Sequence, residues 1–369
     1  MTDEPPALAF VFGTRPEIIK CAPLIRGVQD RDIPFTLVHT GQHYSHDLDD
    51  VFFEGLDLPS PEYELDVGSE TPGRQTGAMV SALDPVLTEV APDAVVVHGD
   101  TNSTLAGAIA TVKLAPELAH VEAGLRSFDR SMPEEHNRVL TDHAADYLFA
   151  PTESNRRHLA DDGLTDGVHV TGNTVVDAVR QHREMAVGES DVLSRLGLTE
   201  GEFLLLTAHR AENVDDERRF RNIIDGVAAA VAAHDLDCVY PAHPRSVSRL
   251  EAFGIDVSDA IRVVEPVDFL SFLRLEDSAA VVVTDSGGVQ EEAAVIGTPC
   301  VTVRDNTERQ ETLEIGANRL AGTDPDDIVR SVGDALSAPL GWEAPYGDGH
   351  AAERILDVLE REVKHVGSA

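Results

Sequence analysis

The sequence predicts an α/β fold built from two doubly wound domains, each with a parallel sheet. Three observations predict it. Short apolar segments rich in β-branched residues alternate with longer segments of helical periodicity along nearly the whole chain. Strand candidates such as "VVVT" at 281–284 are apolar throughout, as expected of strands covered on both faces. A length of 369 residues is enough for two or three domains.

The first half of the chain contains six strand candidates separated by helical periods. The predicted strands are Leu8–Phe12, Phe35–His39, Ala94–His98, Leu118–Val121, Tyr147–Ala150 and Val168–Thr171. The clearest helical periods between them are Ile18–Val28, Ser103–Leu114 and Glu134–Ala144.

The second half repeats this alternation. Its predicted strands are Phe203–Thr207, Cys238–Pro241, Arg262–Val264, Ala280–Thr284 and Cys300–Val303, with helices such as Arg218–Ala233 and Val267–Leu275 between them. An acidic stretch rich in Gly and Pro, Ala338–Gly349, leads into a final helix at about His350–Val363. We expect a first domain at 1–185, joined by the terminal helix within 350–369, and a second domain at 186–349.

The composition narrows the possible partners and environment. The formal net charge is −37, the acids are spread along the chain, and lysine occurs only three times. Diffuse acidity with scarce lysine predicts adaptation to molar salt and argues against a nucleic-acid partner. We find no apolar run long enough to span a membrane and no signal peptide, so we expect a cytoplasmic protein without a membrane partner. Cys21, Cys238 and Cys300 are scattered in apolar contexts, which favours reduced core thiols and gives no metal-binding spacing.

Polar residues follow several predicted strands, where ligands bind in open α/β sheets. Arg15 and Lys20 follow the first strand, Asp100 and Glu122 end two others, and Glu134 and Arg138 start the next helix. In the second half, "AHRAEN" places His209 and Arg210 after a strand. Each has a structural alternative, since a strand-end Asp is often a helix cap and a lone His is often a hydrogen-bonded structural residue. Together, three carboxylates, a histidine and arginines suit proton transfer at a bound anion.

The segment "TDSGGVQEE" at 284–292 predicts a strand that ends at a helix N-terminus. Ser286 is suited to cap the helix, and Gly287 and Gly288 let a ligand approach the backbone N–H groups. Such a helix start attracts phosphate, although Glu291 and Glu292 would repel it unless they face other groups, such as a sugar diol. The alternative is a capped helix whose acids complement its dipole. No GxGxxG follows the first strand, and neither a P-loop nor a GxSxG motif is present.

The chain resembles the non-hydrolysing UDP-N-acetylglucosamine 2-epimerases. The matching stretches occur in family order from about residue 8 to about residue 325: "FGTRPEIIK", "TGQHY", "VHGDTNSTLA", "HVEAGLRS", "PEEHNRVLTDH", "FAPTE", "VTGNTVVDAV", "TAHRAEN", "AHPR", "TDSGGVQEEAAVIGTP" and "TERQE". The resemblance implies two Rossmann-like domains facing across a cleft in a GT-B-like fold, with a C-terminal helix packing back on the first domain. It also implies a homodimer, no cofactor and no metal, and interconversion of UDP-GlcNAc and UDP-ManNAc through 2-acetamidoglucal.

The resemblance also implies roles for individual residues. The catalytic set would be Asp100, Glu122, Glu134 and His209. Arg15, Lys20, Ser286, Gly287, Gly288 and Arg309 would hold the diphosphate, Glu292 the ribose hydroxyls, and Phe272 would be a wall of the uracil pocket. Arg138, Arg210, Asn213 and His243 would complete the substrate site. A second, activating UDP-GlcNAc site would involve Gln42, His43, Arg74 and Gln75.

Three departures from the family pattern stand out. Gln310 replaces the usual proline of "TERPE", Ala211 replaces a frequent second arginine, and the segment around "RSFDRSMPEE" is shorter than in many bacterial members. The alternatives are a hydrolysing epimerase that releases UDP and N-acetylmannosamine, a GT-B glycosyltransferase, and a non-catalytic sugar-nucleotide sensor. The sequence does not decide which carboxylate removes the proton.

Overall fold

The computed structural model describes residues 4–42, 53, 55–68 and 70–366. The chain forms two compact units: unit 1 comprises Met1–Ala178 and Tyr346–Ala369, and unit 2 comprises Val179–Pro345. Each unit contains one sheet in which the described strand pairs are all parallel. The predicted fold class is therefore confirmed.

Unit 1 alternates strands and helices as predicted. Its strands are β1 (Leu8–Phe12), β2 (Phe35–His39), β3 (Tyr63–Glu64), β4 (Ala94–His98), β5 (Glu117–Val121), β6 (Tyr147–Ala150) and β7 (Val168–Val170). Its helices include α1 (Arg15–Asp30), α2 (Pro72–Val90), α3 (Asn102–Thr111), α4 (Pro133–Ala144) and α5 (Glu153–Asp161), and α6 (Thr174–Glu189) runs from unit 1 into unit 2.

The sheet of unit 1 has the strand order β3-β2-β1-β4-β5-β6-β7. All strands run in the same direction, but the chain adds β2 and β3 on one side of β1 and β4 to β7 on the other. Doubly wound folds bind ligands in the crevice at the carboxyl ends of the strands where this order changes, here β1 and β4. Both strands are fully buried because helices cover the sheet on its two faces. The residues that follow β1, β4 and β5 therefore lie side by side.

Unit 2 repeats this architecture. Its strands are β8 (Phe203–Thr207), β9 (Asp237–Pro241), β10 (Arg262–Val264), β11 (Val281–Thr284), β12 (Cys300–Thr302) and β13 (Asn318–Leu320), in the order β10-β9-β8-β11-β12-β13. Its helices after α6 are α7 (Val192–Leu196), α8 (Ala211–Val214), α9 (Glu217–His234), α10 (Pro244–Phe253), α11 (Phe269–Ser278), α12 (Gly287–Ile296), α13 (Gln310–Glu314) and α14 (Pro325–Leu336). The order here changes between β8 and β11.

The final helix α15 (Ala351–Glu362) packs against α1 in unit 1, as predicted. Its first two backbone N–H groups, of Ala351 and Ala352, donate to the carboxylate of Asp177 at 3.2 and 3.0 Å. Asp177 thereby acts as the N-terminal cap of a helix that follows it by more than 170 residues.

Several element boundaries differ from the sequence prediction. The short strands β3 and β13 were not predicted, because β3 has only two residues and β13 contains the polar residues Asn318 and Arg319 instead of an apolar run. The helix predicted to start at Val267 starts at Phe269, since the carboxylate of Asp268 accepts from the N–H of Ser271 at 2.9 Å and caps it. Cys21, Cys238 and Cys300 are buried free thiols, as expected. None of the helices within the described ranges combines the length and apolarity that a membrane span requires.

Candidate active site

Unit 1 brings its predicted site residues to the carboxyl ends of three adjacent strands. Arg15 opens α1 after β1, Asp100 follows β4, and Glu122 follows β5. The β1–α1 turn requires a glycine, because a Cβ at Gly13 would lie 2.0 Å from Oγ1 of Thr40 and 2.3 Å from Oγ of Ser103. Arg15 is exposed at this turn.

Glu122 is the most constrained of the predicted carboxylates. It is 5% exposed, and its φ of 73° lies in the left-handed region that a non-glycine residue rarely adopts. One of its oxygens accepts from Nζ of Lys20 at 2.5 Å and from Nδ2 of Asn173 at 2.8 Å. Lys20, which was expected at the diphosphate, is therefore paired with a predicted catalytic carboxylate.

The second oxygen of Glu122 lies 4.0 Å from Nδ1 of His98. Burial lowers the pKa of His98 to about 4, outweighing the opposing effect of the Glu122 charge. His98 is therefore neutral near pH 7, and its Nε2 lies 3.2 Å from the hydroxyl of Thr174. The countercharge of Glu122 is thus Lys20 rather than His98.

Asp100 and Glu134 differ in their partners. Asp100 forms an ion pair with Arg138, which also contacts Glu135 at 2.5 Å, and Arg138 is almost completely buried. Glu134 lies in the first turn of α4, is partly exposed, and has no hydrogen bond or ion pair with any other residue that the structure describes. Unlike Asp100 and Glu122, the Glu134 side chain is thus not paired with a cation within the described residues.

A further carboxylate, Glu17 of α1, connects the loops that carry Arg15 and Asp100. It accepts from the hydroxyls of Thr14 and Thr101, both at 2.8 Å, and from the N–H of Gly13 at 3.1 Å. Burial raises the pKa of Glu17 to about 7, although these hydrogen bonds oppose the shift. Glu17 therefore fixes the relative position of the turns after β1 and β4.

A buried histidine, His120 of β5, holds the backbone beside Asp100. Its Nδ1 lies 2.8 Å from the Asp142 carboxylate, and its Nε2 lies 2.8 Å from the carbonyl of Gly99. Both ring nitrogens lie within hydrogen-bonding distance of an acceptor, so the ring is held from two sides. Asp142 also pairs with Arg126 at 2.7 Å. This network joins β5 and α4 to the turn that presents Asp100.

The residues predicted for a second nucleotide-sugar site form an amide network. The side-chain oxygen of Gln42 accepts from the N–H of Ser103 at 2.9 Å. Nε2 of Gln75 donates to the carbonyls of Gln42 and Gly68, and its oxygen accepts from Asn102 at 2.9 Å. Arg74 is exposed beside them, and His43 lies outside the described residues.

In unit 2, the residues predicted to bind an anion lie at the N-terminus of α12. Ser286 occupies the N-cap position, but within the described part of the chain its side chain makes no capping bond. Gly287 is needed because a Cβ there would lie 2.6 Å from the carboxylate of Glu308. That carboxylate accepts from Arg304 at 3.0 Å and lies 3.7 Å from Arg210. The backbone N–H groups at 286–288 thus open a helix that is flanked by arginines.

Asp285 organises the loop after β8. Its fully buried carboxylate accepts from the backbone N–H groups of His209 and Arg210 and from Nδ2 of Asn213 at 3.0–3.2 Å. The ring of His209 is half exposed, with Nδ1 3.4 Å from Asp285. A carboxylate beside one ring nitrogen orients a histidine for proton transfer at the other.

The remaining predicted residues of unit 2 occupy distinct environments. Arg309 is buried and forms an ion pair with Glu291 at 2.7 Å. One of the two adjacent acids of α12 thus has a cationic partner within unit 2. Glu292 is partly buried. His243 is the exposed N-cap of α10, and its Nδ1 accepts from the N–H of Arg245 at 3.2 Å. Phe272 of α11 packs against an apolar cluster of unit 2.

Sequence reasoning did not single out Glu17, His120 or Asp285 as site residues. Asp285 carried a detectable signal, because it directly follows a buried strand in the same position as Glu122. Glu17 and His120 lie within a helix and a strand, and neither position marks a polar residue as part of a site. Their partners come from other segments of the chain.

Comparison with known proteins gives a consistent result. The family model described as UDP-N-acetylglucosamine 2-epimerase matches residues 27–360. UDP-N-acetylglucosamine 2-epimerases of Methanocaldococcus jannaschii and Methanococcus maripaludis are 46% and 43% identical, over 95% and 97% of this chain and 98% and 99% of theirs. The crystal structure of the M. jannaschii enzyme in complex with UDP-GlcNAc and UDP superimposes with a TM-score of 0.90, covering 96% of this chain and 99% of that one.

Proposed function

Because the chain belongs to the UDP-N-acetylglucosamine 2-epimerase family, we propose that it interconverts UDP-GlcNAc and UDP-ManNAc by elimination and re-addition of UDP. The relatives carry this activity in their names, and similarity extends over almost the whole of each chain. The observation that supports the chemistry most directly is the group of carboxylates at the ends of adjacent strands in unit 1.

The reaction requires these groups because the hydrogen on sugar carbon 2 has no adjacent carbonyl to make it acidic. When the bond between carbon 1 and the diphosphate oxygen breaks, UDP leaves with the electron pair. A base removes the proton from carbon 2, and the double bond of 2-acetamidoglucal forms. Protonation of carbon 2 on the opposite face, with return of UDP to carbon 1, gives the epimer.

We assign proton transfer to the three predicted carboxylates of unit 1 and to His209. Asp100 and Glu122 are each ion-paired, to Arg138 and Lys20, which suits carboxylates that act as charged acceptors. Glu134 has no such partner among the described residues, which suits a group that changes its protonation state during turnover. Which of them acts on which face stays open.

We assign UDP binding chiefly to unit 2. The helix N-terminus at Ser286, Gly287 and Gly288 offers backbone N–H groups and a favourable dipole to the diphosphate. Arg210 and Arg309 add positive charge, as does Arg15 of unit 1, and Glu292 would accept hydrogen bonds from the ribose. Cations and oriented N–H groups stabilise the charge that develops on the leaving diphosphate, an effect often worth about 3 kcal/mol per donor.

The proposal also includes a homodimer. Three helices of unit 1, α2, α3 and α4, border an open groove of about 660 Å³ that includes Val80, Leu105 and Ile109. Ile109 is 37% exposed, and Leu140 of α4 is 55% exposed. Exposed apolar side chains on a surface formed by neighbouring helices are typical of an interface between two copies of a chain. The cytoplasmic location expected from the sequence stays a prediction.

The function is tested by incubating the chain with UDP-GlcNAc alone in deuterium oxide and following the products by NMR. We expect UDP-ManNAc that carries deuterium at carbon 2, with free UDP at trace level. Replacement Glu134→Gln should lower kcat about 100-fold or more while the Kd for UDP changes little, because the carboxylate transfers a proton and does not anchor the nucleotide.

The matched control is Glu153→Gln, which removes an exposed carboxylate of α5. Accumulation of UDP and N-acetylmannosamine in equal amounts would assign the chain to the hydrolysing epimerases. UDP-ManNAc that retains its original hydrogen would rule out the elimination mechanism. Turnover only after addition of a sugar acceptor would indicate a glycosyltransferase.

A further inference from the structure

A buried carboxyl group in α11 has no role in the activity described above. Glu276 is completely buried, and neither of its side-chain oxygens meets a hydrogen-bond donor from the described residues. An ionised carboxylate in such an environment would lose its hydration without compensation. Glu276 therefore requires either a cation or a proton.

Among the residues that the structure describes, no cation is recorded beside Glu276. The charged groups that face it are the carboxylates of Glu292, from α12, and of Asp277, its neighbour in α11. Asp277 has its own partners, Arg183 at 2.7 Å and Arg274 at 3.5 Å. The buried Cys300 thiol of β12 is also near, and burial raises its pKa. Glu276 therefore retains its proton: burial, reinforced by the charge of Glu292, raises the pKa of Glu276 well above its usual range.

The side chain of Glu292 lies within hydrogen-bonding reach of Glu276. Both are carboxyl groups, so a hydrogen bond between them needs a proton on one, and the buried group is the one that water does not stabilise as an anion. The backbone of Glu276 is itself held, because its carbonyl accepts from Oγ1 of Thr298 at 2.9 Å. The backbone that carries the Glu276 side chain is thus held in place.

We propose that Glu276 is a positioning residue for ribose recognition: as a neutral carboxylic acid, it donates a hydrogen bond to one oxygen of Glu292. The other oxygen of Glu292 is then oriented to accept from the ribose hydroxyls of the bound nucleotide. The inference rests on the proposed function, which assigns those hydroxyls to Glu292.

The arrangement explains why a costly buried carboxyl suits this position. A leucine there would avoid the penalty of burying a polar group but would remove one hydrogen bond to Glu292. A hydrogen bond from a buried neutral acid fixes the acceptor and leaves the negative charge of Glu292 in place. Hydrogen bonds to charged groups contribute more than neutral ones, so the orientation of this carboxylate affects affinity directly.

The test compares UDP with 2′-deoxy-UDP by isothermal titration calorimetry, so that each variant reports the contribution of one ribose hydroxyl. We expect the wild-type chain to bind UDP about tenfold or more tightly than 2′-deoxy-UDP. Glu276→Gln keeps a donor of the same shape and should keep this ratio. Glu276→Leu removes the donor and should reduce the ratio to about threefold or less.

Two controls separate the possible causes of a change. Asp277→Asn alters the adjacent carboxylate and should leave the ratio as in the wild type. Glu276→Met also removes the donor and matches the length of the glutamate side chain, so it should reduce the ratio as Glu276→Leu does. Circular dichroism of each variant shows whether the fold is intact, and if Glu276→Leu does not fold, Glu276→Met carries the test.

The possible results separate the inference about Glu276 from the role of Glu292 and from the proposed function. If Glu276→Leu or Glu276→Met folds and keeps the wild-type ratio, the inference is wrong while the proposed function stands. If the wild type does not distinguish the two nucleotides, or if Glu292→Gln keeps the ratio, Glu292 does not bind the ribose, and the inference about Glu276 is wrong as well. Absence of any UDP binding would overturn the proposed function itself.

Discussion

At the scale of single residues, environment separates carboxyl groups of the same type. Glu122 is ion-paired to Lys20, Glu291 to Arg309, and Glu276 faces another carboxyl group. Glu17 differs from both groups: it is buried, and the hydrogen-bond donors that it meets among the described residues are neutral. Burial favours its neutral form, while the hydrogen bonds favour its charged form. These opposing effects make Glu17 sensitive to pH.

We predict that Glu17 makes stability depend on pH. Burial raises its pKa from 4.5, the ordinary value of an exposed Glu, to about 7 in the folded chain, so the folded state binds the proton more tightly than the unfolded state. The stabilisation is present below pH 4.5 and is lost as the pH rises through 7. Between pH 4 and 8, the free energy of unfolding of the wild type should fall by about 3 kcal/mol relative to that of Glu17→Gln.

Urea unfolding followed by circular dichroism, at several pH values and constant molar salt, measures this difference. Glu153→Gln is the control, because an exposed carboxylate should give a difference that is nearly independent of pH. Parallel curves for the wild type and Glu17→Gln would contradict the assigned shift.

At the scale of secondary-structure elements, helices α2, α3 and α4 combine two functions. Their N-terminal ends carry or contact site residues: Gln75 in α2, Asn102 in α3 and Glu134 in α4. Farther along the helices, Val80, Leu105 and Ile109 line an open apolar groove. The same helices that order the site therefore offer the surface that we assign to the homodimer.

We predict that Ile109→Glu separates the dimer into monomers. A buried, unpaired carboxylate at an apolar interface is strongly unfavourable, whereas at the surface of a monomer it is tolerated. Light scattering in molar salt should give a mass near 39.7 kDa for the variant and near twice that value for the wild type. Val263→Glu, which alters an equally exposed side chain of β10, should leave the wild-type mass unchanged. A monomeric wild type would exclude the dimer.

At the scale of the whole molecule, net charge is the dominant feature. The chain has 66 acidic and 29 basic residues, giving a net charge of −37. Many arginines form ion pairs at the surface, such as Arg31 with Asp357 and Glu360, but exposed pairs contribute little. Most of the negative charge therefore has no countercharge within the chain, and its mutual repulsion opposes the compact state at low ionic strength.

We predict that folding depends on molar salt. The Tm measured by circular dichroism should rise steeply between about 0.1 and 2 M KCl, because the Debye length falls from about 10 Å to less than 3 Å. Sucrose at equal osmolality should have a smaller effect, since it does not screen charge. A Tm that is the same at both salt concentrations would contradict this prediction.

The sequence by itself determined the fold class, most strands and the family. Strands such as Val281–Thr284 are short continuous apolar runs, and the helices beside them have a period of 3.6 residues; such local patterns need no tertiary information. The positions of Asp100 and Glu122 followed from the same reasoning, because a residue after a buried parallel strand lies at the ligand-binding edge of its sheet.

The tertiary structure alone decided the partners of each charged group. Lys20 contacts Glu122 across 102 positions of the chain, and His209 is held by Asp285 from another strand end. The proximity of Glu276 to Glu292 likewise arises from the packing of α11 against α12. Crossover connections bring such residues together, and neither periodicity nor spacing records which side chains then meet. The protonation of a carboxyl group depends on those neighbours and on burial, so it is a property of the fold rather than of the local sequence.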